Sequence, residues 1–185
     1  MQVIQSGLPG VLIIEPRVLG DSRGFFYEGW NRMRFSENGI STDFVQDNIS
    51  VSGKNVLRGL HYQWPYPQAK LVQILEGEVW DVAVDIRQDS PDFGKWVGVN
   101  LSGENHRQLY IPEGFAHGFC VLSERAIFLY KVNEYYHPET DKGVLWSDPR
   151  IAVPWPVSEP ILSDKDVKQR LLADILLVEL PSIVD

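Results

Sequence analysis

Residues 70–87 read KLVQILEGEVWDVAVDIR, two alternating apolar runs separated by a turn signal at Glu76-Gly77. Side chains along a strand point alternately to opposite faces. One face of the second run is wholly apolar and consists of Trp80, Val82, Val84 and Ile86. The opposite face carries Asp81 and Asp85. Because an apolar core does not accept unpaired carboxylates, this second face is either solvated or lines a polar cavity.

The same strand-like pattern recurs along most of the chain, with turn signals between the segments. The predicted strands are Val11–Pro16, Phe44–Val51, Lys70–Ile86, Trp96–Leu101, Arg107–Ile111, Gly118–Leu122 and Ala126–Glu134. Twelve prolines and fifteen glycines argue against a helical protein. Seven or more short strands at this spacing predict an all-β, antiparallel sandwich or barrel, for which the jelly roll is the common closed solution.

Two short helices are predicted, one in the N-terminal and one in the C-terminal region. The first covers Asn31–Asn38 and ends at Gly39, a residue suited to a left-handed cap. The second begins at Ser163 and runs through Leu172. The 185 residues fit a single domain, because no internal repeat, low-complexity tract or interdomain linker interrupts them.

Charge and cysteine content argue against several classes of function. The formal net charge is −8 and no basic stripe is visible, so no binding of nucleic acid or of a membrane surface is expected. No apolar run approaches ~18 residues and no basic-then-apolar leader is visible, which predicts neither a membrane span nor a signal peptide. The only cysteine, Cys120, cannot form an intrachain disulfide, as suits a cytoplasmic protein. An anionic ligand would need a local site.

Overlapping the start of the first stretch, residues 57–72 read LRGLHYQWPYPQAKLV and lie around a turn between two apparent strands. Turns usually collect small polar residues, but this one carries His61, Arg58 and Lys70. His61 is the candidate general base, since an unperturbed imidazole titrates near pH ~6.5. The two cations favour its neutral form and imply a bound anion, because burying an unpaired cation is costly. The segment indicates an enzyme that removes a proton from carbon and stabilises the resulting oxyanion.

Two structural questions about this segment stay open in the sequence. Arg58 and His61 have opposite parity, so a regular strand would point them to opposite faces. A bulge at Gly59 would turn both side chains inward. The alternative for His61 is a core histidine that is hydrogen-bonded to the backbone.

A metal centre is the main competing use of histidine. Glu113–His117 reads EGFAH after Pro112, which has the spacing of the second metal-binding motif of cupins. The first cupin motif requires two histidines separated by one residue, whereas here His61 is followed by Gln63. Two inward histidines without a thiolate pair do not predict a transition-metal site.

Three further residues have both a structural and a chemical interpretation. Tyr130 and Tyr136 could donate a proton or stack on a ligand, although strand tyrosines are more often half-buried packing residues. Asp166 ends the run Ser163-Asp164-Lys165-Asp166, which reads as a capping box for the last helix. From sequence alone the structural interpretation is favoured for all three. Phosphate-loop, dinucleotide-binding and Gly-x-Ser-x-Gly motifs are absent.

The order of these motifs resembles the dTDP-4-dehydrorhamnose 3,5-epimerase family of the cupin superfamily. The matching runs are SRGFF (Ser22–Phe26), FVQDNIS (Phe44–Ser50), LRGLHYQ (Leu57–Gln63), KLVQILEGEVWDVAVDIR (Lys70–Arg87), SPDFGKWVGVNLS (Ser90–Ser102), IPEGFAHGF (Ile111–Phe119), YKVNEYYHP (Tyr130–Pro138) and LSDKD (Leu162–Asp166). The resemblance spans Ser22 to about Leu172, the core of one domain that covers residues 1–185, with an N-terminal arm and a C-terminal tail on either side.

The resemblance implies a cupin-type jelly-roll homodimer that needs no metal or other cofactor. The implied substrate is the sugar nucleotide dTDP-4-dehydro-6-deoxyglucose, and the implied product is dTDP-4-dehydrorhamnose, on the route to dTDP-L-rhamnose. His61 would be the base, and Asp166 would hold its tautomer. Lys70 would stabilise the enolate oxygen at C4, and Tyr130 would donate a proton from the opposite face of the sugar.

The remaining implied site residues contact the sugar nucleotide. They are Gln46, Asn48, Arg58, His117, Tyr136, Asp141 and Lys165. A second group, Arg23, Phe25 and Glu28, matches a segment that in the family reaches the neighbouring subunit's site. The hydrophobic tail Ile175–Val184 has no implied role and is expected to pack on the dimer or on the barrel.

Three alternatives to this function stay open. Related epimerases invert only C3 or only C5 with nearly the same residues, so a narrower activity is compatible with the sequence. A metal-dependent cupin enzyme is the second alternative. The third is a non-catalytic jelly roll that binds sugar nucleotides, which would have no need of an opposed acid and base.

Overall fold

A computed structural model describes residues 1–183 of the chain, which folds into two facing antiparallel sheets and a separate hairpin. The first sheet has the strand order β1 (Gln2–Gln5), β2 (Leu12–Glu15), β10 (Gln108–Ile111), β7 (Lys70–Glu76), β12 (Arg125–Val132) and β5 (Gln46–Gly53). The second sheet has the order β13 (Asp141–Gly143), β6 (Leu57–Gln63), β11 (Phe115–Val121), β8 (Glu78–Asp85) and β9 (Trp96–Ser102). The hairpin pairs β3 (Leu19–Asp21) with β4 (Gly24–Phe26).

The predicted all-β, antiparallel class is confirmed. Every pairing between these strands is antiparallel. Over residues 1–183 the two sheets are not hydrogen-bonded to each other into a closed barrel. The architecture is therefore a sandwich whose inner faces enclose both the main core and, at one end, a polar cavity.

The strand predicted over Lys70–Ile86 is in fact two strands in different sheets. The chain leaves the first sheet at Glu76 and enters the second at Glu78, with Gly77 between them at φ +83°. A Cβ at Gly77 would lie 2.0 Å from the carbonyl oxygen of Arg125, so only glycine fits this crossing. The turn signal at Glu76-Gly77 was the correct sign of the break.

Other strand bounds shift, and some strands carry too weak a pattern to predict. Strand β11 starts at Phe115, so it is longer than the predicted Gly118–Leu122 and includes His117. The short strands β1, β3, β4 and β13 were not predicted. Each has only three or four residues, and runs that short show little alternation.

The two faces of β8 behave as their compositions predict. Trp80, Val82, Val84 and Ile86 join a core that lies between the second sheet and the C-terminal segment. The opposite face points between the sheets, where Val79 and Ala83 join the main core. Asp81 and Asp85 on that face are fully buried, so the solvated alternative is wrong and both carboxylates point to the interior.

The helix predicted over Asn31–Asn38 is confirmed as α1 (Arg32–Glu37). Asn31 caps its first turn by accepting a hydrogen bond from the backbone N–H of Arg34, and Gly39 follows it at φ +88°. Its Phe35 is buried with Ile14 and Ile40 against the outer side of the first sheet.

The second helix is much shorter than the predicted run from Ser163 through Leu172. Ser163 is the N-cap, as expected, but α2 covers only Asp164–Val167. Beyond it, Arg170 bridges to Val144 and the backbone N–H of Leu172 donates to Asp148 at 2.7 Å. These tertiary hydrogen bonds replace the bonds that would have continued the helix, and the chain then forms separate 3-10 turns at Leu172–Asp174 and Leu177–Glu179. A third 3-10 turn covers Pro138–Thr140.

The hydrophobic tail Ile175–Val184 packs on its own chain only in part, because Leu176, Leu177 and Val178 are 64% to 78% exposed. Ile175 and Leu180 are buried in the core beneath the second sheet. Val184 lies outside the described residues. In the described part of the chain, no helix has the length and hydropathy that a membrane span requires.

Candidate active site

A bulge at Gly59 places Arg58 and His61 on the same side of β6. His61 lies opposite His117 on β11, and Arg58 lies opposite Phe119, so three steps along β6 match two along β11. Gly59 has φ +123°, and a Cβ on it would lie 2.5 Å from the Cα of Gly118. The bulge that the opposite parity of Arg58 and His61 required is therefore confirmed, and glycine is needed there.

Both side chains line a cavity of about 190 Å³ between the sheets. Its lining residues are Ser50, Arg58, His61, Lys70, His117, Phe119, Phe128 and Tyr130. The histidines and Arg58 come from the second sheet, whereas Lys70 and Tyr130 come from the first. Four other clefts, of about 230 to 450 Å³, are larger, but none of these four is lined by a histidine.

Two aromatic rings form the floor of this cavity. Phe119 of β11 and Phe128 of β12 stack with ring centroids 4.2 Å apart and planes 11° apart. Both are buried in the main core. The stack joins the two sheets, because Phe119 belongs to the second sheet and Phe128 to the first.

His61 is held by a buried carboxylate. Its Nε2 is hydrogen-bonded to Oδ1 of Asp166, whose side chain is only 3% exposed. A carboxylate that is ionised can only accept, so Nε2 carries the proton and Nδ1 is left as the basic nitrogen. Burial acts to raise the pKa of Asp166, but the hydrogen bonds from His61 and Ser163 outweigh it and bring that pKa below its usual value.

The capping role predicted for Asp166 is also correct. The backbone N–H of Asp166 donates to Oγ of Ser163 at 3.1 Å, and the Ser163 hydroxyl donates back to Oδ2 at 2.8 Å. One carboxylate oxygen is thus held by the helix cap while the other holds the imidazole. The two interpretations of this residue are therefore compatible, because the cap fixes the orientation of the carboxylate that binds His61.

Lys70 is the first residue of β7 and lies across the cavity from the histidines. Burial lowers the pKa of Lys70 to about 8, although Asp141 and Asp81 act in the opposite direction. The ammonium group therefore stays largely protonated at neutral pH in a site with little solvent. Such a group can stabilise negative charge that develops on a substrate oxygen.

Tyr130 lies on β12, beside Asn48 on β5. Burial raises the pKa of Tyr130 above its usual value, with a further contribution from Asp141 that Arg58 opposes. The phenol therefore keeps its proton at neutral pH and can donate it. Gln46, on the same face of β5, donates a hydrogen bond to the Asn48 amide oxygen at 2.8 Å, so both amides lie next to the phenol on the first sheet.

A second polar group lies beside β6, at the edge of the second sheet. Asp141 of β13 accepts hydrogen bonds from the hydroxyl of Tyr136, at 2.9 Å, and from the ammonium of Lys165. The hydrogen bond to Asp141 raises the pKa of Tyr136. The Tyr136 ring itself is 54% exposed. The network thus links an exposed aromatic ring to helix α2, which carries Asp166.

The structure does not bring Arg23, Phe25 and Glu28 to this cavity within one chain. Arg23 lies at the tip of the β3–β4 hairpin and pairs with Asp21, with 88% of its side chain exposed. Phe25 is 61% exposed, and Glu28 pairs with Arg34. The hairpin therefore projects away from its own cavity.

Sequence reasoning missed two buried polar residues around the site. Asp81 contacts His117, and the face of β8 that carries two aspartates was the available signal. Gln63 joins the loops around Tyr136 by donating to the carbonyls of Tyr66 and Tyr135 and accepting from the N–H of His137. Gln63 occupies the place of the second histidine of the metal-binding cupin motif. Within residues 1–183, no three His, Cys, Asp or Glu side chains are grouped as metal ligands.

Comparisons with known proteins agree on one family. A family model described as dTDP-4-dehydrorhamnose 3,5-epimerase matches residues 5–174. The dTDP-4-dehydrorhamnose 3,5-epimerase of Shigella flexneri is 60% identical over 176 residues, which make up 94% of this chain and 97% of that protein. A Streptomyces niveus protein named dTDP-4-dehydrorhamnose 3-epimerase is 39% identical and covers 94% of this chain and 85% of its own length.

The fold matches a solved structure closely. The dTDP-6-deoxy-D-glucose-3,5-epimerase of Legionella pneumophila, solved in complex with dTDP-4-keto-L-rhamnose, superposes with a TM-score of 0.96. The two sequences are 53% identical, and the match covers 100% of this chain and 99% of that one.

Proposed function

Since the chain belongs to the dTDP-4-dehydrorhamnose 3,5-epimerase family, we propose that its inter-sheet cavity carries out the reaction of that family. The enzyme is an isomerase of dTDP-L-rhamnose biosynthesis. It inverts C3 and C5 of dTDP-4-dehydro-6-deoxy-D-glucose to give dTDP-4-dehydro-L-rhamnose.

The chemistry requires one cation and two proton-transfer groups. The hydrogens at C3 and C5 are both α to the C4 ketone, so removing either one leaves negative charge on the same oxygen. A single ammonium group beside that oxygen therefore serves both inversions. Lys70 fits this role, because it is the one lysine that lines the cavity and its burial strengthens its interaction with a developing charge.

One observation carries the assignment of base and acid. His61 and Tyr130 line the same cavity but belong to different sheets, so they approach a bound sugar from different sides. Inversion requires removal of a proton from one face and its return to the other. His61, with Asp166 holding Nε2–H, would remove the proton through Nδ1, and Tyr130 would supply one to the opposite face.

The sugar nucleotide would extend from the cavity toward Tyr136. Arg58 and Lys165 are cations suited to the diphosphate. The residues proposed to contact the rest of the ligand are Gln46, Asn48, His117, Tyr136 and Asp141. Tyr136 offers an exposed ring, fixed through its hydroxyl to Asp141, on which a nucleotide base can stack.

An NMR time course in deuterated water tests the function. With dTDP-4-dehydro-6-deoxyglucose as substrate, we expect deuterium to enter both C3 and C5 and the L-rhamno product to form. Deuterium at C3 alone or at C5 alone would replace this function by that of a monofunctional epimerase, the activity named for the Streptomyces niveus relative at C3. Loss of activity on chelation that divalent metal restores would indicate a metal-dependent enzyme.

The change Tyr130→Phe should separate proton removal from inversion. His61 would still form the enolate and exchange its proton with solvent, but no acid would be present on the opposite face. We therefore expect about 10²-fold less inverted product, with deuterium entering unreacted substrate in its original configuration. The matched control is Tyr110→Phe, on the outer side of the first sheet, whose hydroxyl is hydrogen-bonded to Thr42. Unchanged inversion in Tyr130→Phe would assign the acid to another group.

The working unit is proposed to be a homodimer. The outer side of the first sheet exposes Val45, Ile49, Val51 and Leu75, which are 46% to 67% accessible. The hairpin exposes Phe25 and Phe26 as well. A monomer rarely leaves this much apolar surface open to water, so a second copy of the chain is the partner we propose. The hairpin and the residues just after it would carry Arg23, Phe25 and Glu28 into the site of that copy.

Mixing two variants, each expected to lose activity if Arg23 of one chain completes the site of the other, tests this arrangement. In a mixed dimer of His61→Ala and Arg23→Ala subunits, one site keeps His61 and receives Arg23 from the other chain. If mixing is random, half of the dimers have one such site, so about a quarter of wild-type activity should return. No recovery, or sedimentation of the wild type as a monomer only, would contradict the shared site.

Two finer features stay proposals. The two-sheet sandwich is proposed to be a cupin-type jelly roll, as the close superposition on the Legionella enzyme supports. A cytoplasmic location is proposed because the only thiol, Cys120, is buried and free.

A further inference from the structure

A second imidazole–carboxylate pair lies behind the cavity, on the same sheet as His61. Nε2 of His117 lies 2.9 Å from Oδ1 and 3.0 Å from Oδ2 of Asp81. Asp81 is fully buried, and His117 is 7% exposed and lines the cavity. We take the Asp81 carboxylate as the acceptor of this contact, which places the proton on Nε2.

This contact determines what His117 offers to the cavity. Burial lowers the pKa of His117 even though Asp81 acts to raise it, so the ring is neutral at neutral pH. With the proton on Nε2, Nδ1 is a hydrogen-bond acceptor. Within residues 1–183, no hydrogen bond is made to Nδ1 of His117. This nitrogen is also not one of the atoms in that range that are buried without a hydrogen-bond partner. It is therefore accessible in the cavity.

Acceptors are scarce among the residues that line the cavity, where Ser50 offers a hydroxyl on the first sheet and His117 offers Nδ1 on the second. Arg58 and Lys70 can only donate hydrogen bonds, and Tyr130 is assigned to proton donation. The basic nitrogen of His61 is reserved for the carbon acid. A sugar hydroxyl that enters this site carries a donor, and burying that donor without a partner would weaken binding.

We propose that Asp81 is a positioning residue of the epimerase that fixes His117 as its Nε2–H tautomer, so that Nδ1 accepts a hydrogen bond from a hydroxyl of the bound sugar. The inference rests on the proposed function of the cavity. It assigns to Asp81 a role in binding the sugar and to His117 a defined tautomer. It assigns no proton-transfer step to either residue.

Asp81→Asn is the direct test, with Asp85→Asn as its matched control. An asparagine amide can donate to Nε2, which allows His117 to carry its proton on Nδ1. We expect kcat/KM for the sugar nucleotide to fall about 10- to 100-fold and affinity for dTDP to stay unchanged. Asp85 lies four residues further along the same strand, is equally buried, and is bonded to Arg87 and Ser90. Its variant should keep wild-type kcat/KM.

A nitrogen NMR spectrum of labelled histidine reads the tautomer without any assay of activity. The chain has four histidines, so single substitutions can assign the signals. The wild type should show His117 protonated on Nε2 alone, and Asp81→Asn should move the proton to Nδ1. A wild-type spectrum with the proton on Nδ1 would overturn the proposal, even if the Asp81 variant did not fold.

A double-mutant cycle separates this role from an electrostatic effect on Lys70. Assays well below pH 8 keep Lys70 protonated. In a His117→Gln background, Asp81→Asn should cause no further loss, because its effect passes through the imidazole. An equal loss in both backgrounds would refute the inference. If the wild-type enzyme itself caused no exchange at C3 or C5, the proposed function would fail while the tautomer measurement remained valid.

Discussion

Replacing His61 by alanine should lower turnover by about 10³- to 10⁴-fold. The imidazole is the proposed base, and its Nε2–H is already held by Asp166, so no neighbour can take over the same position. The proposed nucleotide contacts are made by other residues, Arg58, Tyr136 and Lys165. Affinity for dTDP should therefore change little, which calorimetric titration can measure beside the steady-state rate.

Tyr110→Phe serves as the control for this change as well, because the Tyr110 hydroxyl is bonded to Thr42 on the outer side of the first sheet and Tyr110 does not line the cavity. It should leave the rate unchanged. The decisive signal is deuterium exchange at C3 and C5, which should disappear in His61→Ala together with product formation. Exchange at the wild-type rate would show that another residue removes the proton and that His61 only contributes to binding.

Replacing Lys70 by methionine should lower turnover by about 10²- to 10³-fold. Methionine keeps much of the side-chain volume but leaves the enolate oxygen without a positive partner in a buried site. Ground-state binding of dTDP should be affected far less than the rate. Lys95→Met, at an exposed position paired with Asp92, is the control and should keep full activity. A Lys70→Met enzyme with wild-type turnover would remove the oxyanion role from this residue.

The same lysine predicts the alkaline limb of the pH profile. The charged form is the active one, and burial lowers the pKa of Lys70 to about 8, so kcat/KM should fall as the pH rises through that value. Tyr130 does not account for the fall, because burial raises its pKa above the usual tyrosine value. Lys70→Arg keeps a permanent charge, and whatever activity it retains should extend to higher pH. If kcat/KM of Lys70→Arg fell at the same pH as that of the wild type, the group that titrates would be a residue other than Lys70.

Much of the fold could be predicted because a β strand shows in its own sequence as an alternation of apolar and polar residues. The alternation over residues 79–86 separated an apolar face from one that carries Asp81 and Asp85, and the prediction that the apolar face joins a core was correct. Neither aspartate lines the cavity, because Asp81 is paired with His117 behind it and Asp85 is bonded to Arg87. The prediction that failed, the length of the second helix, depends on contacts between residues far apart in the sequence. The second helix stops at Val167 because Arg170 and Leu172 bond to distant parts of the chain, and no pattern within the helix could show that.

The residues of the site also fall into those that the sequence could predict and those that it could not. The bulge at Gly59 followed from the parity of two side chains that both needed to point inward, and the structure confirms it. Asp81 and Gln63 were missed because their partners lie across strands or in other loops, so their roles become visible only once β6, β8 and β11 are side by side. The positions of Arg23 and Phe25 depend on a second chain and stay a prediction.

The stacked rings of Phe119 and Phe128 have a practical meaning for redesign. They carry no proton-transfer group, yet their bulk sets how deep the chamber is, so its capacity can be altered separately from its chemistry. Replacing one of these phenylalanines by leucine would deepen the cavity, so that it could hold a bulkier substituent or inhibitor. The price in fold stability would stay smaller than the ~3–5 kcal/mol typical of removing a whole phenyl ring.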